Sequence, residues 1–181
     1  MSAAGIETRS AVAELRAAGR TLSGIAAPFD SLASIGTFSE RIAKGAFAAS
    51  LKSGDDIMCL ADHDLTRLVG RTRSGTLSLE ERSDGLHFSV AVPDTQLGRD
   101  LLELAKRGDL GGVSIGFTCP PGGDEWRGDE RTLRNINLHE ISIIAAVPAY
   151  AATTVSARAR AFIGATSPAV RRRVLAMMGG R

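Results

Sequence analysis

The sequence predicts an α+β fold, and three observations carry that reading. Short apolar runs alternate with polar residues at the two-residue period of strands, and the segment TQLGRDLLELAKRG places its leucines at helical spacing. The longest apolar run, around ISIIAAVPAYAA, is broken by Pro148 and is too short to cross a bilayer, so a soluble protein with no membrane partner is expected. A chain of 181 residues with 44% hydrophobic residues amounts to about one domain around one packed core.

The elements follow in order. The opening MSAAGIETRSAVAELRAAGR fits either a short amphipathic helix or a frayed arm, and residues 1–20 are read as an N-terminal arm. The first strand falls near TLSGIAAPF. In FSERIAKGAFAASLKSG, Ser39 is a candidate N-cap, and Ile42, Ala43, Ala46, Phe47 and Leu51 keep helical spacing up to Gly54, which predicts a helix over 43–52. DIMCLADHD is an apolar run that ends abruptly in charge, as a buried strand does where it reaches a surface. GTLSLEERSDGLHFSVAVP predicts a hairpin: Leu77 and Leu79 alternate with polar residues, SDG turns the chain, and His87 to Val92 returns it.

After Asp94, the leucines at 97, 101, 102 and 104 lie along one helical face; Lys106 and Arg107 suit the negative C-terminal end, and Gly108 stops the helix. VSIGFTC then reads as a strand, PPGGDEWRGDE as a loop, and RTLRNINLHEISIIAAVPAY as the longest strand-like segment. From Ala151 the chain turns arginine-rich and free of acidic residues, so residues 157–181 are read as a C-terminal tail. That composition fits a solvated extension or an electrostatic dock onto an acidic partner.

Composition excludes several function classes. The 22 basic and 20 acidic residues nearly cancel, so a nucleic-acid partner is not expected for the core. Two cysteines, Cys59 and Cys119, make neither a disulfide framework nor a metal cluster and fit reduced thiols in a cytoplasmic protein. No histidine pair has helical i, i+4 spacing, no Cys-x-x-Cys occurs, and the glycine runs lack the strand–loop–helix order of a phosphate loop. Neither a metal nor a cofactor is expected.

Nucleophilic chemistry remains. It needs a hydroxyl, a base, a group that orients the base, and N–H donors for the oxyanion. In GDLGGVSIGF, Ser114 is surrounded by glycines that let a substrate carbonyl approach the main chain, where an N–H near Ser114 would serve the oxyanion. The chain has three histidines. His87 lies inside the predicted hairpin and reads as structural, whereas His63 stands at the charged end of a strand beside Asp62 and Asp64. Glu140 completes the set. The GVSIG stretch fits G-x-S-x-G but runs from helix through turn to strand, the reverse of the hydrolase elbow, so the motif is a weak signal and these residues by themselves leave a plain turn open.

Four blocks in order change that balance. ERIAKGAF, LADHD followed by LVGRTRSGTLSL, GDLGGVSIGF and LHEISIIAAVPAY together resemble the prohead, or capsid-maturation, proteases of tailed phages and of related gene-transfer particles, over about Gly24 to Arg158. The resemblance implies a serine endopeptidase domain over residues 21–156 with a β-barrel-like core and flanking helices, similar to the herpesvirus assembly proteases. It implies Ser114 as nucleophile, His63 as general base and Glu140 as third member. Asp62 and Asp64 are read as fold or rim residues. The herpesvirus enzymes use a histidine in the third role, and His139 precedes Glu140; successive strand residues face opposite sides, so only one of the two can meet His63. Glu140 is in phase with Leu138 and Ser142, and His139 with Ile141 and Ile143, so phase alone leaves the choice open, although a carboxylate is the better partner of an imidazolium.

The implied substrates are the scaffolding segment of the major capsid protein and the protease itself, inside assembling proheads, with homo-oligomerisation allowed by analogy. The alternative is a catalytically inactive protease-like scaffold or capsid-assembly binding module.

Overall fold

A computed structural model describes residues 5–11 and 15–145 of the chain. The arginine-rich tail and the Pro-Ala-Tyr end of the last block lie outside the described residues. Among the described residues strands dominate, in three open sheets accompanied by two helices.

The five-stranded sheet holds the candidate residues. It consists of β1 (Glu7–Ala11), β6 (Met58–Ala61), β7 (Asp64–Arg71), β10 (Gly112–Thr118) and β13 (Asn137–Ile144), in the order β1-β10-β13-β6-β7. Only β13 and β6 run parallel. A second sheet combines β2 (Arg16–Ala18), β3 (Thr21–Pro28), β8 (Leu77–Glu81) and β9 (Gly85–Ala91), in the order β2-β3-β9-β8. The third contains β4 (Ala33–Ile35), β5 (Phe38–Ile42), β11 (Asp124–Arg127) and β12 (Glu130–Leu133), in the order β11-β12-β5-β4.

Locally specified elements form where the sequence places them. The hairpin is β8 paired with β9, and the leucine-rich helix is α2 (Gln96–Arg107). Thr95 caps α2 by accepting the Gly98 N–H at 3.2 Å, and Gly108 ends it at φ 72°, a left-handed conformation that glycine adopts without a side-chain clash. Leu101 and Leu102 bury its apolar face.

Elsewhere the structure departs from the expectation. The helix predicted over 43–52 shrinks to α1 (Ala48–Lys52), because 38–42 is taken up as β5 and Gly45, at φ 89°, turns the chain between them. The segment read as a loop is the β11–β12 hairpin, turned at Gly128 (φ 60°). The opening segment supplies β1, whose Glu7 and Arg9 find charged partners far along the chain. The barrel-like core is also corrected: among the described residues β1 and β7 end the five-stranded sheet without meeting, so it stays open. The side chains of β1 engage the third sheet instead, through Glu40 and Arg131. No helix among the described residues is long and apolar enough to cross a membrane.

The central strands present two unlike faces. Cross-strand partners share a face, so Val113, Ile115, Ile141, Ile143, Cys59 and Ala61 form one fully buried apolar layer that joins the main core. The opposite face carries Ser114, Gly116, Glu140 and Ser142. A single pleat thus separates the packing residues from the polar ones.

Candidate active site

His63 is placed by a two-residue turn. Ala61 on β6 pairs with Asp64 on β7, which leaves Asp62 and His63 as the loop of a tight hairpin, at φ 55° and 60°. Turns of this length favour two successive left-handed residues because their twist then matches that of the strands. A residue other than glycine pays about 1 kcal/mol or more for that conformation, and less where, as at Asp62, a short polar side chain can hydrogen-bond locally. Contacts from β13 and β7 offset the strain. The Asp62 N–H donates to the Ile143 carbonyl at 3.0 Å, the Ala145 N–H donates to Asp62 Oδ1 at 3.0 Å, and Arg67 Nη1 donates to Asp62 Oδ2 at 2.7 Å. Asp62 therefore builds the turn. Asp64 accepts the Thr66 N–H and hydroxyl, which hold its carboxyl below the usual range.

Glu140 reaches His63 directly. Its Oε1 bonds His63 Nδ1, while Ser142 donates its hydroxyl to Oε2 at 2.5 Å. A carboxylate only accepts, so Nδ1 carries the proton, and Nε2 is left free to act as a base. The His63 side chain is 30% exposed and Glu140 is 8% exposed, so the pair joins a wet edge to a buried carboxylate. His139 falls at the irregularity in the β10–β13 register, unpaired between Leu138 and Glu140, and it shares a 2.9 Å hydrogen bond with the Thr118 hydroxyl. His87 bonds Asp84 at 2.8 Å in the second sheet.

Gly116 makes room for the carboxylate. It stands directly opposite Glu140, and a Cβ there would sit 2.5 Å from Glu140 Oε1 and 2.9 Å from its Cγ. Gly116→Ala should therefore displace the carboxylate from His63 without unfolding the sheet, since the Gly116 backbone is not in the left-handed region. A displacement near 1 Å predicts a loss of about tenfold to a hundredfold in any reaction that uses the pair. Activity equal to the parent chain, with an unchanged circular dichroism spectrum, would show that the carboxylate position is not critical.

Ser114 lies on the same face as Glu140, opposite Ser142 in the ladder. It is fully buried, and its hydroxyl donates to the Arg9 carbonyl of β1 at 3.0 Å rather than to His63. Both edges of β10 are paired, to β1 over Val113–Phe117 and to β13 over Gly112–Thr118. The free N–H anticipated near Ser114 is thus not on offer while β1 is seated. The structure brings His63 and Glu140 into contact and sets Ser114 one strand away with its hydroxyl turned outward to β1.

A charged cluster fastens that outer strand. Arg9 pairs with Glu40 at 2.6 Å and with Glu7 at 2.6 Å; Arg131 pairs with Glu7 at 2.7 Å, Glu40 at 3.1 Å and Asp124 at 2.7 Å. Burial alone would raise the Glu7 carboxyl, but hydrogen bonds from Arg131 and Arg9 outweigh it and hold it below the usual range. Glu40 is 3% exposed, so this is a satisfied network of low solvent access rather than a set of surface pairs. Cys59 is no rival nucleophile: burial and the nearby Glu140 push its thiol up to about 12.

Two contributors carried no role in the sequence reading. Ser142 was legible only as a residue in phase with Glu140, and the carbonyl of Arg9 leaves no trace in side-chain chemistry at all. No curated protein and no solved structure matches the chain. The profile of one family does match, that of the caudovirus prohead serine protease, over residues 6–165. That span contains His63, Ser114 and Glu140 together with the strands that carry them, and by it the chain belongs to the caudovirus prohead serine protease family.

Proposed function

We propose that the protein is a serine endopeptidase that removes the scaffolding segment of the major capsid protein, and cuts itself, inside assembling proheads. The observation that carries this reading is the His63 Nδ1 to Glu140 contact on the face that also holds Ser114. His63 Nε2 takes the proton of Ser114 as Oγ bonds to the scissile carbonyl carbon, and Glu140 stabilises the resulting imidazolium. The carbon–nitrogen bond then breaks, and the imidazolium returns its proton to the leaving amine. Water, deprotonated by the same nitrogen, attacks the acyl-enzyme, releases the new carboxyl end and restores the serine. Before the first step the Ser114 hydroxyl leaves the Arg9 carbonyl, and β1 yields the outer edge of β10 to an extended substrate.

A second reading draws on the burial of Ser114: a protease-like scaffold that binds capsid protein without cutting it. Co-expression with the capsid protein encoded alongside it, followed by intact-mass analysis, separates the two. The protease reading expects a capsid protein shortened by a discrete segment. Full-length capsid protein in complex with the intact chain would favour the scaffold.

A further inference from the structure

We infer that Ser142 is a positioning residue that fixes both halves of the His63–Glu140 pair, an inference that rests on the protease reading above. Ser142 is fully buried and its hydroxyl is used twice. It accepts the main-chain N–H of His63 at 3.1 Å and donates its own proton to Glu140 Oε2 at 2.5 Å. One proton and two lone pairs allow both contacts at once. Together with the bond from His63 Nδ1 to Glu140 Oε1, they close a ring that runs from the His63 main chain through Ser142 and the carboxylate back to the His63 imidazole.

Each contact has a separate consequence. The accepted N–H belongs to the second left-handed residue of the turn, a conformation that persists only where its surroundings over-determine it. Asp62 is tied to Ile143, Ala145 and Arg67, and among the hydrogen bonds that hold the turn it is Ser142 that takes the His63 N–H. The donated proton fixes the plane of the carboxylate, so that Oε1 meets the imidazole. It also takes up part of the negative charge, which keeps the imidazolium stabilised without trapping it in the charged form. Groups that orient a base from behind act in this way, through a neighbour and without touching substrate.

Removing the hydroxyl should therefore change more than the amount of folded protein. In Ser142→Ala the full charge of Glu140 falls on its contact with His63, so the protonated imidazole persists to higher pH. The base is needed neutral, so the acid limb of the rate profile moves upward. A chain that is only partly misfolded loses amplitude at every pH and keeps its midpoint.

The test is the rate at which a fluorophosphonate labels Ser114 in the full chain, followed by intact mass across pH. Ser142→Ala should lower the plateau rate about tenfold or more and move the acid limb up by about half a pH unit or more. Ser142→Thr keeps the hydroxyl and should restore both. An unchanged midpoint in Ser142→Ala overturns the positioning role, and that midpoint decides the matter even if the threonine variant does not fold. Absence of Ser114 labelling in the parent chain, with capsid protein left uncut, is a failure of the protease reading itself and removes this inference with it.

Discussion

Ser114→Ala should stop cleavage of the capsid protein while leaving the chain folded, with a rate loss of about 10⁴- to 10⁶-fold. The fold has little to lose. The hydroxyl makes one hydrogen bond, to the Arg9 carbonyl, and a bond of this kind contributes about 1 kcal/mol net. The strand around it stays paired on both edges, and the apolar layer on the opposite face, with Val113 and Ile115, is unaltered. Thermal unfolding should therefore shift by only a few degrees, whereas the mass of co-expressed capsid protein should remain that of the uncut chain. Processing at near the parent rate would take Ser114 out of the mechanism and make its bond to Arg9 a purely structural one.

The parts of this molecule that could be read from the sequence are those that local chemistry specifies. The α2 helix carries its own cap, apolar face and terminating glycine, and the β8–β9 hairpin carries its own alternation and turn. By contrast β1 and β12 depend on partners distant in the chain. Arg131 pairs with both Glu7 and Glu40, so neither strand's charges explain themselves until three segments meet. The Phe38–Ile42 stretch shows the same limit from another side, because Glu40 interrupts an apolar pattern that looks helical and is in fact a buried ion-pair position on a strand.

The candidate site divides in the same manner. His63, Ser114 and Glu140 stand out by residue type and by their blocks, but their mutual contact depends on a turn that places His63 at φ 60°, which the letters Asp-His only permit. Ser142 was visible in phase with Glu140, yet its bond to the His63 N–H exists only once that turn folds back over β13. Gly116 stands two residues from Ser114 in the sequence. It is relief for the carboxylate.

The choice between Glu140 and His139 gives the sharper of the two tests. Glu140→Gln keeps the size of the side chain, and its amide oxygen can still accept from Ser142. Its other group is an NH₂ facing His63 Nδ1, and a donor there holds the imidazole in the wrong tautomer and cannot stabilise the imidazolium. A substitution of that kind costs on the order of 10⁴ in turnover where the pair is catalytic. His139→Gln removes a group that bonds the Thr118 hydroxyl, and the amide can replace that contact, so a change within about threefold is expected for an edge contact of this strength. Both variants should be compared with the parent chain by the rate at which co-expressed capsid protein is shortened. The reverse ranking would assign the third role to His139, and it would require the imidazole to leave the Thr118 hydroxyl and to displace the Glu140 carboxylate from His63 Nδ1.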